Sequence, residues 1–237
     1  MYHYQTLAAA LALVSLFSSG MVPAQETADE INQAQRLVFM GDHLQQLPEG
    51  QTVVYAFTRH ASGEADRHDE IKMTVDKVRD DSLRNLSFQF LSGSDQIDFP
   101  SAQGYRGNPI AIQFLERDIR DMAQATGTST AYFRNRIRNA FKDPQIEQTR
   151  MTVGETEVDA VEISVKPFRN DPNLSQMAGY ADKQYRFAYS DQIPGHLISV
   201  QTRMSDGNDA FLEEEVRYTG VVDTITVGNT SAAAAGQ

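Results

Sequence analysis

The chain contains no cysteine and no tryptophan. The first absence excludes a disulfide scaffold, thiol catalysis and thiolate metal sites, so stability must come from the core alone. The second removes the usual platform for stacking a sugar ring, although tyrosine can serve instead. Positive charge is also scarce: 21 Lys and Arg stand against 32 Asp and Glu, a formal net charge of −11. Phosphate backbones and anionic lipid surfaces repel such a chain, which argues against nucleic acid binding through overall charge and leaves room only for a local basic patch. The chain lacks a G-x-S-x-G elbow, an S-x-x-K pair, a P-loop and a G-x-G-x-x-G turn. His60 and His68, with Asp66, Asp69 and Glu70, surround one connector without metal-ligand spacing and read as a solvated hairpin loop, so no metal and no cofactor is expected. His43 and His196 each stand alone. The expectation is a non-enzymatic protein; an unrecognised hydrolase is the remaining alternative.

No long hydrophobic run is present either. The longest is Leu7–Phe17, 11 residues, where a membrane span needs about 20. Ser18, Ser19 and Gly20 end it, and Val22-Pro23-Ala24 offers small residues at the −3 and −1 positions of a signal-peptidase site. The sequence therefore predicts a secretory signal over residues 1–24, cleaved near Ala24, and a periplasmic protein of a Gram-negative envelope with no permanent membrane span. The segment before the run has no Lys or Arg, which keeps a second reading open: an uncleaved signal tethering the protein to the inner membrane. Without a cysteine near the cut, the mature terminus is not lipidated. Cleavage leaves 213 of the 237 residues, expected as one domain over 25–227 and a disordered, Ala-rich tail over 228–237.

Patterning in the remainder is mostly period-two. Val53, Tyr55 and Phe57 alternate with smaller or polar residues, as do Ile71, Met73 and Val75, then Leu86, Phe88 and Phe90. Residues 96–107 read as a loop. Asn108-Pro109 opens a helix with stripe Ile112, Leu115, Ile119 and Met122, which ends at Gly127. Thr128, Ser129 or Thr130 caps a second helix with Phe133, Ile137, Ala140 and Phe141 on its buried face, stopped by Asp143-Pro144. Six strands follow, at 146–153, 156–166, 183–190, 196–204, 211–219 and 221–227, with a longer loop over 167–180 and a Pro194-Gly195 turn. At the other end, Thr27-Ala-Asp-Glu30 is a capping box before a short helix carrying Ile31, Ala34, Leu37 and Val38. The expected fold is α+β: a large, curved, half-barrel-like antiparallel sheet of about nine strands, with a helical hairpin and the short N-terminal helix packed on it.

Two sets of side chains are candidates for function. Arg134, Arg138 and Lys142 fall at i, i+4 and i+8 on one face of the second helix, and Tyr132 and Phe133 lie near the hairpin tip. That basic row suits a headgroup or an acidic envelope partner. The plainer reading is a solvated face paired with Glu116, Asp118 and Asp121. Tyr55, Phe57, Phe88, Phe90, Tyr185, Phe187 and Tyr189 line the inside of the predicted sheet, whose interior is either solid core or a cavity for an apolar ligand.

The strand series at Tyr55, Phe57, Ile71, Met73, Phe88 and Phe90, the helices from Pro109 to Lys142, and the hairpin Tyr185–Met204 around Pro194-Gly195 together resemble the LolA and LolB periplasmic lipoprotein carriers. The resemblance covers most of the mature chain as element order and carries no family motif. It implies an unclosed barrel plugged by helices and a lipid or other hydrophobic ligand, and it transfers no individual site residue.

Overall fold

A computed structural model describes residues 31–173, 178–206 and 209–223. The proposed signal, the Thr27–Glu30 capping box and the tail over 228–237 lie outside the described residues. The first described element is α1 (Gln33–Gln35), continued as a π-helical stretch over Arg36–Met40. Its capping box is built by Asn32 and Gln35: the Gln35 N–H donates to Asn32 Oδ1 at 2.9 Å, and the Asn32 N–H donates to Gln35 Oε1 at 3.0 Å.

Nine strands follow: β1 (Gln51–Ala61), β2 (Arg67–Val78), β3 (Arg84–Phe90), β4 (Ala102–Tyr105), β5 (Gln145–Val153), β6 (Thr156–Val165), β7 (Gln184–Tyr189), β8 (Leu197–Asp206) and β9 (Asp209–Asp223). Between β4 and β5 stand α2 (Ile110–Thr126) and α3 (Thr130–Ala140). All the strands belong to one open sheet in the order β4-β3-β2-β1-β9-β8-β7-β6-β5, and every neighbouring pair is antiparallel. The fold is therefore the α+β curved sheet that the patterning predicts. The chain runs outward through one hairpin series, crosses by way of α2 and α3, and returns inward to close β9 against β1.

Two details differ from the expectation. β4 lies within the predicted loop: it has only four residues, includes Gly104, and shows no apolar alternation that a pattern could reveal. The two strands expected at 211–219 and 221–227 are one strand. Gly220 between them is not a turn. It sits with φ of 154° beside the register shift at Val54/Tyr55, where an irregularity lets a long strand bend without ending.

Register explains why one face of the sheet is apolar across its width. Phe57 opposes Val216, Val216 opposes Val200, Val200 opposes Phe187 and Phe187 opposes Ile163. A second row runs Tyr55, Ile71, Phe90. Because side chains alternate between faces, all of these point to one side and meet the helices there. Phe114, Ile119 and Met122 of α2 and Phe133, Ile137 and Phe141 of the α3 end are buried among them in one continuous core. A smaller cluster, Val158, Ala160, Ala188, Ile193 and Ile198, buries part of the opposite face.

The caps of the hairpin match the sequence reading. The Asn108 side chain accepts the Ile110 N–H at 3.1 Å, and Pro109, with φ −83° and ψ −6°, already has helical geometry. Gly127 ends α2 at φ 70°, and Ser129 caps α3 by accepting the Tyr132 N–H. No described helix is long and apolar enough to cross a membrane.

Candidate functional site

The interior of the sheet is filled. Tyr55, Phe90, Tyr185, Phe187 and Tyr189 are fully buried and Phe57 nearly so, packed against Phe114, Phe133, Phe141 and Phe168 of the helices and loop. Six of the seven side chains read from the sequence as a cavity wall are thus core. Large inward aromatics on both sheet and helices leave no room between them, because protein interiors pack to crystal-like density. Phe88, half-buried, is different and lines a surface groove. Phe133 is fully buried, with edge-on contacts to Phe168 and Tyr180.

The apolar space lies on the outer side of the helices. A groove of ≈ 480 Å³ runs between the N-terminal helix, α2 and α3, floored by Ile112, Leu115, Ile119 and Ile137 and walled by Phe39 and Met40. The wall is unusually exposed for its chemistry: Ile31 is 43%, Phe39 46% and Met40 59% accessible. A second groove of ≈ 490 Å³ passes Phe88, Phe99 and Tyr105 on the far side of Phe39. Both are lined by Phe39, Ile112 and Glu116, so they lie side by side along α2 as a trough divided at Phe39. Each part is by itself within the usual size range for small-ligand sites, about 300–1,000 Å³.

Two contacts set the wall's position. Asn32 Nδ2 donates to the Phe141 and Lys142 carbonyls at 2.7 and 3.3 Å, which ties the N-terminal helix to the end of α3 and satisfies carbonyls left free there. Phe39 stacks edge-on against Phe141 at 4.9 Å.

The basic row stands at the rim. Arg134 and Arg138 line the groove, and Arg134 makes two parallel 2.7 Å bonds to the Glu116 carboxylate, a bidentate pair across the hairpin. Glu116 raises the Arg134 guanidinium above its ordinary value. Arg138 donates to Asn135 Oδ1. Lys142 lies one turn further on, past the end of α3, and is exposed. Tyr132 faces away from the groove: its hydroxyl donates to the buried carboxylate of Asp171.

Two buried polar clusters escaped the sequence reading. In the first, Lys183 Nζ donates to Asp118 Oδ1 at 2.8 Å, the Tyr185 hydroxyl donates to Asp118 Oδ2, and Arg117 pairs with Glu214. Arg59 Nε reaches the other Glu214 oxygen at 3.2 Å. Lys183, Asp118, Arg117 and Glu214 are all buried. Burial lifts Glu214 above the usual carboxylate range against the pull of Arg117, and it lifts the Tyr185 hydroxyl well above its ordinary value. These pairs fasten α2 to β9 and to the start of β7, and Arg59 ties β1 to the same Glu214 carboxylate.

In the second cluster, Asn108 Nδ2 donates to Tyr55 Oη at 2.6 Å and to the Gly195 carbonyl at 2.9 Å, while the Asn108 N–H donates to His43 Nδ1 at 3.0 Å. The His43 ring lies 5.2 Å from Tyr189 and 5.5 Å from His196. Gly41 is required beside it: a Cβ there would stand 1.9 Å from His43 Nε2. His43 and His196, read as solitary from the sequence, are thus neighbours. A single sequence offers no signal for either cluster, since the partners lie at least 53 residues apart.

The hairpin histidines do not converge. His60 Nδ1 meets Asp66 Oδ1 at 2.6 Å with both side chains exposed, and His68 opposes Thr58 in the sheet. Among the described residues no group of three or more His, Asp or Glu side chains is placed to hold a metal ion.

Neither a family model nor a curated protein sequence matches the chain. Structures similar to it include the Mycobacterium tuberculosis lipoprotein LppX, at 5% identity and TM-score 0.30 over 70% of this chain and 84% of that one. A LolA superfamily protein of Nitrosomonas europaea is similar at 11% identity and TM-score 0.21, over 79% of this chain and 92% of that one.

Proposed function

We propose that the protein is a non-enzymatic carrier of a lipid or similar hydrophobic ligand, exported to the periplasm and working there after cleavage near Ala24. The carrying observation is the trough along α2. Its floor is aliphatic, its wall keeps Ile31, Phe39 and Met40 in solvent, and it ends at an arginine rim. Exposed apolar side chains gathered in one concavity gain about 25 cal/mol per Å² when a ligand covers them. The occupant that suits this shape is an elongated amphiphile, with its tail along Ile112, Leu115 and Ile119 and an anionic head near Arg138. Arg134 is already neutralised by Glu116, which disfavours docking of an acidic protein through the basic row as a whole.

Protein isolated from its own envelope should show a bound lipid mass in native mass spectrometry, and purified protein should bind a fluorescent fatty acid. Ile31→Glu with Met40→Glu changes only exposed wall positions, so the fold should hold while probe binding falls about tenfold or more. Equal binding by this variant would overturn the assignment of the trough.

A further inference from the structure

On the opposite flank of α3 lies a second cleft, of different chemistry and ≈ 550 Å³ in volume. It is bounded by the last turns of α3, the start of β5, the end of β6 and the turn that follows. Arg136, Lys166 and Arg169 all line it, and Asp143 is the one acidic residue among its lining. In a chain of net charge −11, three cations against Asp143 and the Asp171 carboxylate behind Arg136 still leave a local excess of positive charge.

Two of the three cations, Lys166 and Arg169, have no ion-pair partner among the described residues, and the third, Arg136, is paired at one edge only. Asp171, whose side chain is fully buried, holds Arg136 by a 2.7 Å contact from Nε to Oδ2, and is itself held by the Tyr132 hydroxyl and the Asn173 N–H. That contact occupies one edge of the guanidinium. The Nη1 and Nη2 groups have no protein acceptor among the described residues, and Lys166 and Arg169 have no carboxylate partner there. Asn139, Gln145 and Asn170 add amide donors around the same space. A guanidinium fixed at Nε, a second arginine, an ammonium and several amides around one concavity suit a tetrahedral oxyanion that carries more than one negative charge.

We infer that this cleft binds a phosphate group, with Arg136 as the oriented ligand and Lys166 and Arg169 as supporting cations. The inference is independent of the apolar trough. The phosphate belongs either to a small soluble compound or to a phospholipid headgroup, and the two sources are separable.

The test titrates the full protein with inorganic phosphate by calorimetry, and in parallel with phosphatidylcholine vesicles with and without phosphatidic acid by co-sedimentation. The Lys166→Glu/Arg169→Glu variant is compared, because both residues are exposed and make no ion pair among the described residues, whereas an Arg136 variant would leave the buried Asp171 without its countercharge. Saturable phosphate binding by the wild type, weakened about tenfold or more in the variant, supports a soluble phosphate ligand. Binding confined to vesicles containing phosphatidic acid and lost in the variant supports a headgroup. No binding in either arm, or binding that the variant retains, overturns the proposal. The Ile31→Glu/Met40→Glu protein should keep its phosphate affinity, so failure of the trough as a ligand site is read separately.

Discussion

At the level of single residues, the costliest groups in this protein are its buried charges. Lys183 has no accessible surface, and its countercharge is Asp118. Such a pair adds little net stability over an apolar pair, but losing one partner leaves the other stranded. Asp118→Asn keeps an acceptor for Tyr185 and removes the charge opposite Lys183. It should cost about 3–5 kcal/mol in urea unfolding, and Asp118→Leu with Lys183→Met should recover most of that. A single substitution costing under about 1 kcal/mol would show that water reaches the pair. His43 works in the opposite sense. Burial, reinforced by the neighbouring His196, lowers it from 6.5 to about 4. The unfolded chain therefore binds this proton more tightly than the folded one. The stabilisation is complete above pH 6.5 and is lost as pH falls from 6.5 to about 4, by about 3 kcal/mol. Glu214, raised by burial, contributes the reverse: its share is present at low pH and is lost as pH rises through its folded value. Thermal unfolding followed from pH 7 to pH 4 should thus show a smaller loss of stability in His43→Gln than in the wild type; parallel curves would remove His43 from this account.

At the level of elements, what was legible follows from locality. The cap at Asn108, the stop at Gly127, the stripe of Ile112, Leu115, Ile119 and Met122, and the alternation of Tyr55 and Phe57 each depend on neighbours within a few residues, and each appears in the structure. β4 is hidden because four edge residues with a glycine carry no periodic signal, and the expected strands part at Gly220 because a bulge and a strand break draw on the same residue type. The helix face was legible, but its role depended on partners. Arg134 pairs with Glu116, 18 residues away on α2, so its plainer reading holds, and Arg138 rims a groove whose existence depends on where Asn32 anchors the N-terminal helix. Tyr55, Phe57, Phe90, Tyr185, Phe187 and Tyr189 face inward, and Phe88 opens to a surface groove. Whether an inward face encloses a cavity is decided by the volume of Phe114, Phe133 and Phe168 arriving from elsewhere in the chain, and alternation in the strands has no information about that.

For the molecule as a whole, the order of strands makes one seam decisive. β1 and β9 stand at opposite ends of the described chain yet pair over eleven positions, from Gln51↔Asp223 to Ala61↔Leu212. Every other strand pair is a hairpin or, for β6 with β7, a neighbour in sequence, so among the described residues the two halves of the sheet are joined by ladder hydrogen bonds only at this seam. Closing it orders a loop of some 150 residues, an entropic cost that grows slowly with length but must be met before the core of α2, β1 and β9 can form. Stability should therefore fall from the seam toward the edges. β4 and β5 each have one neighbour, and β5 is largely exposed along its length, whereas β1 and β9 are paired on both sides over the buried rows. Native-state hydrogen exchange should show amides of β1 and β9 opening only with global unfolding, while those of β5 exchange by local opening at a lower free energy that is insensitive to small additions of denaturant. Were β5 amides to report the same free energy and denaturant dependence as β1, the sheet would unfold as one unit and the seam would hold no special place in it.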